Sequence, residues 1–374
     1  MRITDVEALV LRMPTIDVGA ADSTQDALIV RVHTDEGIVG IGEVDASPTI
    51  VKAIIDAPPS HAISSGLREV LVGEDPRDIE RLWDRMYQGS IFYGRRGVAV
   101  MALSGLDIAL YDILGKSLRV PVYRLLGGAR RKSIPAYAST LMPDTPDEAE
   151  AHAREVAARG FHAIKFGWGP FGQSDDLDEE LVAAVRRGAG DDVEIMLDIG
   201  FGWREADHAI AMTRRIAKYR PYWIEEPLYP DDLRGYARLA DAVDVPIAAG
   251  EENTTRFEFE DLLERGRVDI VQPDVTRCGG LTEAKRIATM AHALGKPCVP
   301  HAWSTGIISA ASLHLIATLP NARYLEYCIR PNPLNTGLVK NPVRVVDGMA
   351  HVPEAPGLGI ELDEAELERF AAEA

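Results

Sequence analysis

Residues 194–253 read EIMLDIGFGWREADHAIAMTRRIAKYRPYWIEEPLYPDDLRGYARLADAVDVPIAAGEEN. Three short apolar runs in this stretch each end on an acid: Asp198 after EIML, Glu225 after YWI and Glu251 after PIAAG. The acids lie 27 residues apart (198 to 225) and then 26 apart (225 to 251), the period of one strand-plus-helix unit. Continuous apolar runs of this length read as parallel strands buried on both faces, so all three carboxylates are expected on one face of a sheet. Helix capping would account for one such acid but not for three at this spacing. Three hard oxygen ligands, with positions left for water and substrate oxygens, suit Mg²⁺ better than a nitrogen- or sulfur-preferring metal.

Outward from this stretch the same alternation continues. SIPAYAS, AIKFGWG, EIMLDIG, YWIEEP, PIAAGEE, VDIVQPD, PCVPHAW and RYLEYC are the expected strands, separated by helical patterns such as EELVAAVRRGAG and EAKRIATMAHALG. Regular alternation of this kind implies an α/β closed barrel over residues 126–345, with its site at the C-terminal ends of the strands. Residues 1–125 run strand, TDEG turn, strand and then helices, an α+β capping domain. Residues 346–374 break the alternation and are expected to pack back on that domain. Two segments, 13–24 and 45–62, are expected to cover the barrel mouth.

The chain has 374 residues, 46% of them hydrophobic, enough for a large core. A net charge of −18 disfavours nucleic acid and anionic membranes as partners but leaves an anionic small molecule open, since a bound cation reverses the local field. The N-terminus lacks a basic segment followed by an apolar one, so a cytoplasmic location is expected. Cys278, Cys298 and Cys328 show no paired spacing and read as reduced core thiols. The apolar helix GVAVMALSGLDIALYDILGK contains Asp107 and Asp112 and reads as a core helix rather than a membrane span.

The next two strands end in Gln272-Pro273-Asp274 and Pro300-His301-Ala302-Trp303. An Asp one strand from a His fixes the imidazole tautomer and raises its basicity, which points to a general acid/base. Lys165 lies on the opposite face of its strand from Ile164 and Phe166 and so enters the barrel mouth, where its charge offsets the excess of carboxylates and a substrate carboxylate. Glu326 in YLEYC is expected at the same mouth. Hydroxyl-binding candidates are Tyr137, Ser139, Trp168, Asn253, Arg277 and Trp303, with His61 and Arg95 from the cover.

GLDIALYDILGK, YRLLGGARR, AIKFG, MLDIG, WIEEP, AGEEN, VDIVQPDVTRCGGLTEAKRIA and VPHAWSTG together resemble the enolase superfamily, in the subgroup of mandelate racemase and the acid-sugar dehydratases. The resemblance implies a modified (β/α)7β barrel with a capping domain and a homo-oligomer. It also implies Mg²⁺ held by Asp198, Glu225 and Glu251, an Asp274–His301 dyad, and Glu326 on the substrate carboxylate, with Glu226 behind the metal ligands. The chemistry implied is removal of the proton α to a carboxylate, giving an enediolate. Relatives often carry Lys-x-Lys where this chain has Lys165-Phe166-Gly167, and some dehydratases carry a His where it has Gly200. One confident acid/base, His301, fits dehydration of an aldonate or aldarate to a 2-keto-3-deoxy acid better than racemisation. A racemase, epimerase or lactone cycloisomerase is the alternative if Lys165 acts as a second base, and a non-catalytic barrel the remaining one. Gly167 and Gly200 are expected to leave room for a polyol chain.

Overall fold

A computed structural model of the protein describes residues 1–61 and 63–372. The first strands, β1 (Ile3–Arg12), β2 (Asp26–Thr34) and β3 (Val39–Val44), form an antiparallel sheet in the order β1-β2-β3. Helices α1 (Pro48–Asp56), α2 (Leu67–Leu71), α3 (Ile79–Ser90), α4 (Val98–Leu118) and α5 (Val122–Leu125) follow. Helix α4 is long and apolar enough to cross a membrane by composition, yet 83% of its apolar window is buried inside the fold. Sheet and helix approach closely: a Cβ on Gly42 of β3 would stand 2.0 Å from the carbonyl oxygen of Gly105 in α4. Only glycine allows that contact.

The barrel strands are β4 (Ser133–Leu141), β5 (Ala163–Gly167), β6 (Glu194–Asp198), β7 (Pro221–Glu225), β8 (Ile247–Ala249), β9 (Ile270–Val271) and β10 (Leu325–Cys328). Each of β4 to β8 pairs in parallel with the next, and β10 returns to β4. The segment around Cys298 closes the remaining gap: Cys298 bridges Val271, and its N–H donates to Asn321 O at 3.0 Å. Helices α6 (Pro146–Ala158), α7 (Asp175–Ala189), α8 (Ala206–Ile216), α9 (Leu233–Ala242), α10 (Thr255–Asp261), α11 (Gly280–Ala293) and α12 (Gly306–Thr318) fall between successive strands. The result is a (β/α)7β barrel. Local sequence signals set the helix ends. Thr145 and Glu148 form a capping box at α6, while α7 carries Asp175, Asp176 and Asp178 in its first turn and Arg186 and Arg187 in its last.

The barrel interior is a packed plug to which every strand contributes one side chain: Tyr137, Ala163, Met196, Trp223, Ala248, Ile270, Val299 and Tyr324. The functional cavity lies above this floor. After α13 (Pro333–Gly337), the chain first extends the barrel sheet. Strands β11 (Val345–Val346) and β12 (Met349–His351) form a hairpin, and β12 pairs antiparallel with β4. Only beyond this hairpin does it run back over the first domain, through α14 (Glu364–Phe370) and the Leu11–Ala371 bridge. Cys278, Cys298 and Cys328 are all buried and unpaired.

Candidate active site

The C-terminal ends of β6, β7 and β8 carry Asp198, Glu225 and Glu251, and ligand oxygens of the three lie within 4.8 Å of one another. All three side chains are buried. Burial and the mutual repulsion of the carboxylates push the Asp198 carboxyl well above its ordinary range. Glu251 Oε2 is buried without a hydrogen-bond partner. A cluster of hard anionic oxygens, one of them unsatisfied, is what a small divalent cation neutralises, so the residues fit a magnesium ion.

Glu226 follows Glu225 with φ of 42° and turns its side chain away from the cluster. Its carboxylate accepts from Gly250 N–H at 2.7 Å and from the Tyr236 hydroxyl at 3.0 Å. It thereby fixes the turn that presents Glu251.

Across the cluster, His301 Nδ1–H donates to Asp274 Oδ2 at 2.6 Å, which leaves Nε2 facing the cavity, 3.5 Å from Glu251 Oε2. Asp274 is itself held by the Thr276 N–H and hydroxyl, both at 2.6 Å. Burial alone would push the imidazole pKa down, but the Glu251 and Glu326 charges and the Asp274 bond outweigh it and raise it to about 10.

Lys165 rises from β5 directly above the plug, 5.8 Å from the centroid of the Tyr137 ring. Its ammonium is bonded to Glu225 and stands 2.9 Å from Glu326 and 3.9 Å from Asp198. Burial raises the Glu326 carboxyl, but the Lys165 and His301 charges overcome that and hold it well below the usual range. Glu326 is therefore an acceptor, and its Oε2 takes the Ala302 N–H at 2.8 Å, fixing the backbone beside His301.

A cavity of about 370 Å³ unites these groups, lined by Lys165, Asp198, Glu251, His301 and Glu326 together with Ser139, Trp168, Arg277 and Trp303. Four further candidates are not brought to it. Tyr137 belongs to the barrel floor below Lys165, because its position on β4 points inward at the level of Trp223 and Tyr324. Asn253 is buried in the turn after Glu251, its N–H bonded to Gly250 O. His61 is exposed on the capping domain with its ring against Phe92, and Arg95 is exposed nearby.

Of the two glycines expected to leave space, Gly167 lines the cavity and Gly200 is not among its lining residues. A Cβ on Gly167 would stand 2.8 Å from Asp198 Oδ2, and one on Gly200 would stand 2.7 Å from the Trp168 ring. Both glycines admit a close neighbour, the Asp198 carboxylate or the Trp168 ring, and Gly167 also borders the cavity. Of the two expected cover segments, 13–24 reaches the cavity through Ala21, Asp22 and Ser23. Segment 45–62, whose last residue lies outside the described ones, meets the site at its first residue, Asp45, and then forms α1, whose Val51 and Ile55 are buried in the first domain.

Sequence reading alone missed Glu43 and Asp45. Arg277 does not stand free: it donates to Asp45 Oδ2 at 2.7 Å and to Glu251 O at 3.3 Å. Glu43 accepts from Thr305 and Ile308 beyond the His301 turn. The one available signal was the Gly40-x-Gly42-Glu43 run, an acid on a strand whose glycines mark close packing.

Fold and site together define a barrel whose clustered carboxylates fit a divalent metal and whose His–Asp pair fits acid/base chemistry. Residues 148–366 match the enolase C-terminal domain-like family, and residues 4–127 match the mandelate racemase / muconate lactonizing enzyme N-terminal domain. The chain belongs to this family, the mandelate racemase subgroup of the enolase superfamily. It is 36% identical over 355 residues to a D-galactarolactone cycloisomerase of Agrobacterium fabrum, covering 92% of this chain and 90% of that one. It is 35% identical over 355 residues to an arabinonate dehydratase of Saccharolobus solfataricus, covering 94% and 92%. A racemase from Streptomyces coelicolor A3(2), solved with bound magnesium, superposes with a TM-score of 0.87 at 30% identity, covering 99% of this chain and all of that one.

Proposed function

We propose that the chain is a Mg²⁺-dependent dehydratase of a sugar acid, an aldonate or aldarate, yielding a 2-keto-3-deoxy acid. The observation that carries this reading is the clustering of the Asp198, Glu225 and Glu251 carboxylates beside the His301–Asp274 pair, with Asp198, Glu251 and His301 lining one cavity. Those three acids would hold the ion. Bound there, magnesium acts as a Lewis acid that neutralises charge building on a substrate carboxylate.

The remaining steps belong to side chains. His301 Nε2, the ring nitrogen left over once Nδ1 donates to Asp274, takes the proton α to the carboxylate. It must be neutral to do so, and positive charge among the three acids offsets the negative field that raises its pKa. The electron pair of the broken C–H bond forms the C2–C3 double bond as the C3–O bond breaks. The imidazolium returns its proton to the departing hydroxyl, which leaves as water, and the enol tautomerises to the 2-keto acid. Lys165, pinned between Glu225 and Glu326, stabilises negative charge on the substrate carboxylate. That pairing supports an electrostatic role for it and leaves a single base, as dehydration requires. A cytoplasmic, homo-oligomeric enzyme completes the proposal, on the strength of family membership.

The test is incubation with Mg²⁺ and a panel of sugar acids in D₂O, scored for 2-keto acid by semicarbazide and for α-deuterium by NMR. Keto-acid formation that is lost in His301→Asn supports the dehydratase. Similarity to a cycloisomerase favours a second reading, in which the same base opens or closes a lactone without net loss of water. An isomeric product with no keto acid would decide for it.

A further inference from the structure

Resting on the reading of Asp198, Glu225 and Glu251 as magnesium ligands, we infer that Asp45 is a positioning residue that keeps the Arg277 guanidinium off Glu251, reserving that carboxylate for the ion. Two groups of metal-ligating side chains lie side by side at the barrel mouth. Asp198, Glu225 and Glu251 bring their ligand atoms within 4.8 Å of one another, and so do Asp45, Asp274 and His301. All six side chains are buried.

The second group already has its cation in the chain. Arg277 donates from Nη2 to Asp45 Oδ2 at 2.7 Å and from Nε to Asp45 O at 3.2 Å, and its Nε stands 3.8 Å from Asp274 Oδ2. The same guanidinium borders the first group. Its Nη1 donates to Glu251 O at 3.3 Å and stands 3.8 Å from Glu251 Oε1. That separation is too long for a hydrogen bond, and a shift of about 1 Å would close it to a charge-assisted one.

Glu251 invites such a shift, because its Oε2 is buried without a hydrogen-bond partner. A guanidinium and Mg²⁺ both seek carboxylate oxygens, so they compete for this side chain. Asp45 decides the competition by holding two nitrogens of Arg277 with a buried carboxylate and its own carbonyl. Glu252 is the weaker tether, a partly exposed side chain with Oε1 3.4 Å from Nη1. Without the Asp45 charge, the buried carboxylates left to Arg277 are Glu251 and Asp274. Asp45 directly follows β3, so the capping domain supplies the restraint and the barrel supplies the ligand.

The test is calorimetric Mg²⁺ titration of the full chain, with thermal melts alongside. Asp45→Asn keeps the shape and removes the charge, and is expected to weaken Mg²⁺ binding about tenfold. Adding Arg277→Met removes the competitor and is expected to return the affinity to within about threefold of wild type. A purely structural role for Asp45 would lower the melting temperature without that reversal. The double variant also covers the case in which Asp45→Asn alone fails to fold, since it leaves neither charge buried and unpaired. A double variant about tenfold or more weaker than wild type overturns the inference, because the pair would then build the metal site rather than guard it. Unchanged affinity in Asp45→Asn overturns it too, and leaves the metal reading standing. A wild-type chain that binds no Mg²⁺ overturns both.

Discussion

The carboxylate of Glu43, on the last strand of the capping domain, accepts the Thr305 hydroxyl at 2.8 Å and the Thr305 N–H at 3.1 Å. It also takes the Ile308 N–H at 2.9 Å. Thr305 caps α12, four residues after His301, so one domain fixes the turn that carries the base of the other. On the neighbouring turn, Asp107 of α4 accepts the Thr282 N–H and hydroxyl, and Ser104 accepts the Gly279 N–H. Both halves of the His301–Asp274 dyad are thus anchored to the capping domain from behind.

Glu43→Ala is expected to lower kcat more than it changes KM. It should also destabilise the fold by about 2–4 kcal/mol, because buried donors at Thr305 and Ile308 lose their acceptor. Steady-state kinetics with urea unfolding checks both. Unchanged kcat at lowered stability would mean that the capping domain steadies the barrel without aligning the base.

Replacing His301 by Asn, or Asp274 by Asn, removes the proton acceptor or its orienting partner. Each is expected to cost about 10²- to 10⁴-fold in kcat, with Mg²⁺ binding retained because the metal acids stand on other strands. Kinetics paired with calorimetric Mg²⁺ titration separates the two effects.

Chelation with EDTA is expected to abolish activity, and Glu251→Gln to weaken Mg²⁺ binding. Binding should weaken further as pH falls. Burial and neighbouring carboxylates hold the Asp198 carboxyl above its ordinary range, so protons compete with the ion well above the usual carboxylate pH and are released when it binds. Titrations in buffers of different ionisation enthalpy would show that release, and a pH-independent affinity would count against the three-acid site.

His314, in α12, provides a pH-sensitive staple. Its Nε2–H donates to Leu358 O at 3.0 Å, and its Nδ1 accepts the Tyr123 N–H at 3.3 Å, a bond that only the neutral ring can make. Burial lowers its pKa from 6.5 to about 4. The unfolded chain therefore binds this proton first as acid is added. The stability due to the neutral ring is complete above about pH 6.5 and falls progressively down to about pH 4, by at most about 3 kcal/mol. Thermal melts across that window should be steeper in the wild type than in His314→Gln.

The barrel and its acids were legible because period and position coincide. An apolar run that ends on Asp198, Glu225 or Glu251 carries strand, direction and candidate ligand in a few adjacent residues, and Asp274 and His301 are likewise placed at strand ends. What eluded reading depends on contacts between distant residues. Glu43 meets Thr305 across 262 positions and Asp45 meets Arg277 across 232, with no local pattern to announce either. Tyr137 was misplaced because alternation gives the face of a strand but not the height along the barrel axis. That Gly167, besides lining the cavity, makes room for the neighbouring strand's acid paired with it in register is invisible to a one-strand view.

The eight-residue barrel floor gives the enzyme an unusual sensitivity to its own interior. Trp223, one of those residues, donates its indole N–H to Glu225 at 2.8 Å, and Tyr137 lies under Lys165. A hydrophobic substitution here is expected to shift Glu225, proposed as a metal ligand, and Lys165 beside it as well as to lower stability. Mutational drift of this floor is therefore constrained by chemistry as well as by packing, and a library that varies Met196, Ala248 or Ile270 would tune metal affinity without touching a ligand.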